Sequence, residues 1–142
     1  MSEIKNWWFS KKIEDMPKEE LEKRIKEVME IELPYKINPI PYVGVKDELV
    51  SYSTDELVAL CPMTGYPDFY ELVIEYIPDK TIPELKSLKF YLMQYKEIPV
   101  SHEHLASKIF NDFKKVVKPK ALKIRLKVAR RGGIDTWIEL SM

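Results

Sequence analysis

The sequence predicts an α+β fold in which an antiparallel sheet is backed by two helices, with a further helix ahead of it. Three observations carry this. Apolar and polar side chains alternate in twos over 69–77, 122–129 and 134–140, the period of half-buried strands. Between the first and second of these segments, Leu85, Leu88, Leu92 and Tyr95 recur every three or four residues, as do Leu105, Ile109, Phe113 and Val116, the period of amphipathic helices. The 142 residues, 45% of them apolar and 32% charged, fit one compact domain with a real core.

Taken in order, residues 1–16 mix aromatics with charge and read as an irregular arm. Pro17 suits the opening of a helix. Leu21, Ile25, Val28 and Glu32 share one face of it, and Pro34 ends it from outside. Pro34, Pro39, Pro41 and Gly44 mark 34–46 as a connection or edge segment. Leu49–Tyr52 reads as a short strand. Cys61–Asp68 is dense in turn formers and reads as an ordered loop. In the strand from Phe69 to Ile77, Tyr70, Leu72, Ile74 and Tyr76 lie on one face. Pro83 precedes the first helix of the pair and Pro99 breaks it; Ser101 is the N-cap of the second and Pro119 ends that one. Leu122, Ile124, Leu126 and Val128 form the covered face of the next strand, joined to the last by the Arg131-Gly132-Gly133 turn.

Composition excludes several functions. Lys and Arg total 23, as do Asp and Glu, so net charge does not make a polyanion binder. The Lys and Arg residues at 123, 125, 127, 130 and 131 read as one solvated strand face, with a tRNA-binding surface as the alternative. A lone cysteine cannot form an internal disulfide, the N-terminus lacks an apolar run of signal-peptide length, and no segment approaches the ~20 apolar residues of a membrane helix. A cytoplasmic protein is expected. One cysteine and two histidines give no zinc-type spacing. The four glycines form neither a dinucleotide-binding nor a P-loop motif.

Three groups of residues carry chemical potential. Cys61 reads either as a small buried hydrophobe or as a nucleophile placed in a loop. Asp68 closes the same loop, so thiol and carboxyl can meet one substrate, the first attacking an electrophilic carbon and the second supplying a proton. In His102-Glu103-His104 the two rings diverge by about 200° on a helix, which argues against a shared metal. Glu103 is either a polar residue favoured by the helix dipole or an acceptor for the adjacent N–H groups of a purine-like ring. Within Glu84–Tyr91, Lys86 and Lys89 are three apart on a helix and can face one anion, or be merely solvated.

Together these strings resemble a known family, the NADPH-dependent 7-cyano-7-deazaguanine reductases of queuosine biosynthesis. The resemblance runs from about Glu56 to Gly133. It rests on Leu60-Cys61-Pro62-Met63-Thr64-Gly65-Tyr66-Pro67-Asp68-Phe69, Tyr76-Ile77-Pro78, Glu84-Leu85-Lys86-Ser87-Leu88-Lys89-Phe90-Tyr91, His102-Glu103 and Arg131-Gly132-Gly133. It implies the tunnelling fold, ββααββ, placed over 47–142; the arm and helix over 1–46, which show no such resemblance, precede it in a single compact domain. It implies a covalent thioimide between Cys61 and the nitrile carbon, with Asp68 as proton donor. Pro83, Glu84, Leu85, His102 and Glu103 would bind the deazapurine base, and Lys86, Ser87 and Lys89 would serve NADPH. Two NADPH then give 7-aminomethyl-7-deazaguanine. The family joins subunits, usually as pentamers stacked in pairs, so a homo-oligomer is expected, without a membrane or nucleic-acid partner. This chain departs from the family's aromatic–Arg pair with Tyr95-Lys96, and carries His104 where an acidic residue is common. The alternatives are an archaeosine-type amidinotransferase acting on nitrile-bearing tRNA, whose members lack the Glu84–Tyr91 type of string, a GTP cyclohydrolase on the same fold, and a non-catalytic binding module.

Overall fold

The computed structural model describes residues 15–142, so all but the last two residues of the arm read over 1–16 lie outside it. Helix α1 (Lys18–Glu30) leads into β1 (Pro39–Pro41) and the long strands β2 (Val50–Leu60) and β3 (Pro67–Ile77). Then come a short β4 (Thr81–Pro83), α2 (Leu85–Met93), a 3-10 turn (Gln94–Glu97), α3 (His102–Val117), β5 (Ala121–Arg131) and β6 (Ile134–Ser141). The four long strands form one antiparallel sheet in the order β2-β3-β5-β6.

The predicted alternation sets the core. Leu72 and Ile74 of β3 lie opposite Leu126 and Ile124 of β5. All four are buried with Leu88 and Tyr91 of α2 and with Leu105, Ile109 and Phe113 of α3. Each such side chain contributes about 1.5–3 kcal/mol. The opposite face of β5 is charged, and its cations have carboxylate partners. Lys123 and Arg125 share Glu139 at 3.4 and 3.1 Å, and Lys127 reaches Glu71 at 4.0 Å.

The region before β2 joins the same body. Val28, Leu33 and Ile37 belong to the core, and β1 pairs with β4 through Pro39 and Pro83. Prolines lack the N–H a ladder needs, which keeps this pair short. One buried cation fastens α1 to α3. Lys108, 3% exposed, donates to the carbonyls of Met29 and Ile31 at 3.1 and 3.2 Å and pairs with Asp112 at 3.3 Å. Asp112 accepts from the Tyr91 hydroxyl at 2.6 Å, which meets that of Tyr95 at 2.8 Å.

Four sequence expectations need correction. Leu49–Tyr52 is only the start of an eleven-residue strand, because a bulge between Thr54 and Leu57 breaks the alternation there. Helix α1 stops at Glu30, with Ile31 already extended, so Glu32 lies beyond its face. In α2 the first residue, Leu85, is 52% exposed while Tyr91 is buried. The chain tightens into the 3-10 turn from Gln94, within which Tyr95 is still buried as the stripe requires. Asp68, read as the end of the Cys61 loop, is instead the second residue of β3, where it pairs with Ala59 of β2. Ser101 takes the N-cap position of α3 as expected, with its hydroxyl on the His104 ring rather than on the backbone. Among the described residues no helix is long and apolar enough to cross a membrane.

Candidate active site

Cys61 directly follows β2. Its N–H donates to the Tyr66 carbonyl at 2.8 Å, and its carbonyl accepts from the Gly65 N–H at 2.9 Å. Gly65 has φ 76°, which only glycine adopts cheaply, so the loop closes on itself beneath the thiol. A second constraint aims it. The Leu60 N–H donates to Ile98 and the Val100 N–H to Leu60, both at 3.0 Å. The residue before the cysteine is thereby stitched to the segment that enters α3.

Asp68 is the second residue of β3. It shares the face of Tyr70, Leu72, Ile74 and Tyr76 and is 5% exposed. Its Oδ1 lies 3.5 Å from Arg131 Nη2, and Arg131 also donates to the Pro67 carbonyl. One pleat deeper, the Tyr70 hydroxyl lies 2.7 Å from Nδ1 of His102. The two rings meet edge to face with centroids 5.5 Å apart. Burial first, then the carboxylate of Asp68, pushes the Tyr70 phenol far above its usual range.

These groups open on a cavity of about 580 Å³ lined by Cys61, Asp68, His102, His104 and Arg131. Leu21, Ile25 and Val28 of α1 form an apolar wall of it. Few polar groups in an apolar cleft of this size make a small-molecule site. A thiol, a carboxyl and an imidazole on one cavity can add sulfur to an electrophilic carbon and supply protons. Among the described residues no three His, Cys, Asp or Glu side chains are grouped to hold a metal.

The other candidates lie elsewhere. Glu103 is exposed, between the two histidines that line the cavity. Glu84 is the N-cap of α2, accepting from the Lys86 and Ser87 N–H groups at 2.8 Å each. Those two bonds hold its carboxyl below the usual range. Ser87 is buried; its hydroxyl donates to the Glu84 carbonyl at 2.6 Å and accepts from the Asn38 N–H at 2.9 Å. Pro83 is taken up in the pairing with β1. Leu85 and Lys89 line a groove of about 420 Å³ between α2 and β2, whereas Lys86 borders another with Glu84 and Phe90. Within one chain, therefore, Cys61, Asp68 and His102 come together, and residues 83–89 do not join them. Sequence reasoning missed Tyr70 and Arg131 as parts of the site, and the apolar face of α1 as its wall. For Tyr70 a signal existed, since its alternation extended by one pleat reaches Asp68.

The family described as "QueF-like protein" matches residues 67–142. The chain is 38% identical over 120 residues to the NADPH-dependent 7-cyano-7-deazaguanine reductase of Caldanaerobacter subterraneus subsp. tengcongensis, covering 84% of this chain and 82% of that protein. It is 42% identical over 94 residues to the protein of the same name from Syntrophus aciditrophicus, covering 66% and 67%. A crystal structure of the archaeosine synthase QueF-Like in the apo form superposes with a TM-score of 0.61 at 25% identity, covering 66% of this chain and 91% of that one. The architecture is the expected tunnelling fold.

Proposed function

This chain belongs to the QueF-like protein family, and on that premise we propose that it is an NADPH-dependent nitrile reductase converting 7-cyano-7-deazaguanine to 7-aminomethyl-7-deazaguanine. The observation that carries the proposal is the single cavity shared by Cys61, Asp68 and His102. A nitrile accepts hydride poorly. Addition of the Cys61 sulfur to the nitrile carbon, with the thiol proton taken up by the Asp68 carboxylate and passed to the nitrogen, yields a thioimide whose C=N bond is reducible. Conversion to the amine requires two hydrides and two protons in all: the first hydride on the thioimide carbon would give a hemithioaminal, whose collapse breaks the C–S bond, returns the thiol and leaves an imine for the second. Arg131 orients the Asp68 carboxyl, and the apolar face of α1 limits water at the reacting carbon.

NADPH supplies the hydrides when bound. Lys86 and Lys89 are exposed cations three residues apart on α2, and their ammonium groups suit a phosphate-bearing cofactor. Ser87 contributes by bracing the start of that helix through its bonds to Glu84 and Asn38. His102 and Glu103 receive the base. Pro83, Glu84 and Leu85, assigned to the same base by resemblance, lie apart from the cavity in one chain. We infer that a neighbouring subunit supplies them. Strands β2 and β6 terminate the sheet among the described residues, and open edges favour such association. The reaction is assigned to the cytoplasm, without a membrane or nucleic-acid partner.

The amidinotransferase reading has a specific observation in its favour, the structural likeness to an archaeosine synthase. The Glu84–Tyr91 string weighs against it. Parallel assays decide: NADPH oxidation with 7-cyano-7-deazaguanine, and ammonia incorporation into nitrile-bearing tRNA. The proposal expects turnover in the first assay only, with Cys61→Ala inactive and a one-base mass gain on Cys61 in wild type. Absence of the adduct under native conditions refutes the nucleophile.

A further inference from the structure

We propose that Tyr70 is a positioning residue that holds His102 with its proton on Nε2, so that His102 meets the bound base as a hydrogen-bond donor. The identity of that base rests on the function proposed above; the tautomer does not. Tyr70 is 2% exposed, and among the described residues His102 Nδ1, at 2.7 Å, is the one hydrogen-bond partner of its hydroxyl. A hydroxyl carries one proton. If Nδ1 donated to the phenol oxygen, the Tyr70 proton would be buried without a partner, a costly arrangement. The bond therefore runs from Tyr70 to Nδ1, and a neutral His102 must carry its hydrogen on Nε2.

The surroundings keep the phenol protonated. Burial first, and then the neighbouring Asp68, Cys61 and Glu103, oppose a negative charge on Tyr70, with only Arg131 acting the other way. Nε2 of His102 has no hydrogen-bond partner among the described residues, while the ring lines the cavity. His104 is not set in this way, because the Ser101 hydroxyl that meets its Nδ1 is only half-buried, so its proton is not confined to that one partner as the sealed Tyr70 proton is. The chemistry of the base fits a fixed donor. The edge of a guanine-type ring presents a carbonyl oxygen beside its N–H and amino groups. A carboxylate such as Glu103 can accept from the donors, and Nε2–H of His102 can donate to the carbonyl.

The test reads the tautomer directly. Long-range ¹H–¹⁵N spectra of the free protein, labelled at its two histidines and assigned with His104→Gln, should show His102 with Nδ1 as a bare acceptor and hydrogen on Nε2. In Tyr70→Phe, which keeps the ring, His102 should become a mixture of tautomers. On a Cys61→Ala background, Tyr70→Phe should weaken 7-cyano-7-deazaguanine binding about tenfold and leave NADPH binding unchanged. A wild-type His102 protonated on Nδ1 overturns the proposal even if the variant fails to fold. An unchanged tautomer in a folded Tyr70→Phe overturns it too, as does equal loss of base and NADPH binding, which would mark a merely structural role. Because the spectra are taken without substrate, failure of the reductase assay would sink the proposed function while leaving the tautomer result standing.

Discussion

Replacing Lys108 with methionine tests how α1 is held against the rest of the protein. The change keeps the aliphatic stem and removes the ammonium, which donates to two carbonyls at 3.1 and 3.2 Å and pairs with Asp112 at 3.3 Å. Hydrogen bonds from a charged donor are worth about 1.5–3 kcal/mol each. Met29 and Ile31 are only half-buried, so water replaces part of that loss, and Asp112 keeps its bond from Tyr91. Relief from burying the ammonium offsets a further part. The balance is a destabilisation of about 2–3 kcal/mol, or a melting point lowered by roughly 5–10 °C for a domain of this size. Urea unfolding at fixed protein concentration gives the first figure and thermal scanning the second. Since α1 is a wall of the Cys61 cavity, the same variant should let iodoacetamide reach Cys61 several times faster, and amide exchange should rise in α1 before the sheet. An unchanged or higher melting point, with exchange in α1 unaltered, would show that the buried charge costs as much as its bonds return. The proposed fastening of α1 would then be wrong.

Asp68→Asn should retain the fold and slow both adduct formation and turnover by about 10²–10⁴-fold, the usual cost of losing a general acid; stopped-flow absorbance of the adduct measures it, and near-wild-type rates would reduce Asp68 to a partner for Arg131. Glu103→Gln on a Cys61→Ala background should weaken base binding at least about tenfold, because an amide offers a donor where the ring also offers donors; calorimetric titration decides, and equal affinity would leave Glu103 a helix-start residue. Glu84 has a lowered carboxyl pKa in the folded protein. Its stabilisation of the start of α2 is therefore complete above the unfolded value of about 4.3 and is lost as pH falls through the lower folded value. Urea midpoints measured down through that range should fall less steeply for Glu84→Gln than for wild type, and parallel curves would contradict the capping role.

The sheet and its two backing helices were legible in the chain because periodicity is a local record of burial. Tyr70, Leu72, Ile74 and Tyr76 had to alternate to face a core, and Leu105, Ile109 and Phe113 had to recur at helical spacing. The turn after Cys61 was legible too, since Pro62 and Gly65 announce it, but the ladder of β3 already begins at Pro67 and takes in Asp68. What stayed hidden depends on partners far apart in sequence. The bulge in β2 masked a long strand as a short one, because polar Asp55 and Glu56 interrupt a ladder that resumes at Leu57. Nothing around residue 60 shows that Leu60 is stitched to 98–100, yet that pairing carries Cys61 toward His102. Lys86 and Lys89 have the spacing to share a ligand, but the grooves beside them differ. Which side chains turn inward and which residue types could react are written in the chain, because backbone periods and side-chain chemistry are local properties. That Tyr70 touches His102 across 32 residues and that α1 walls the cavity came from the packing alone, because contacts of that range follow from how the elements close on one another.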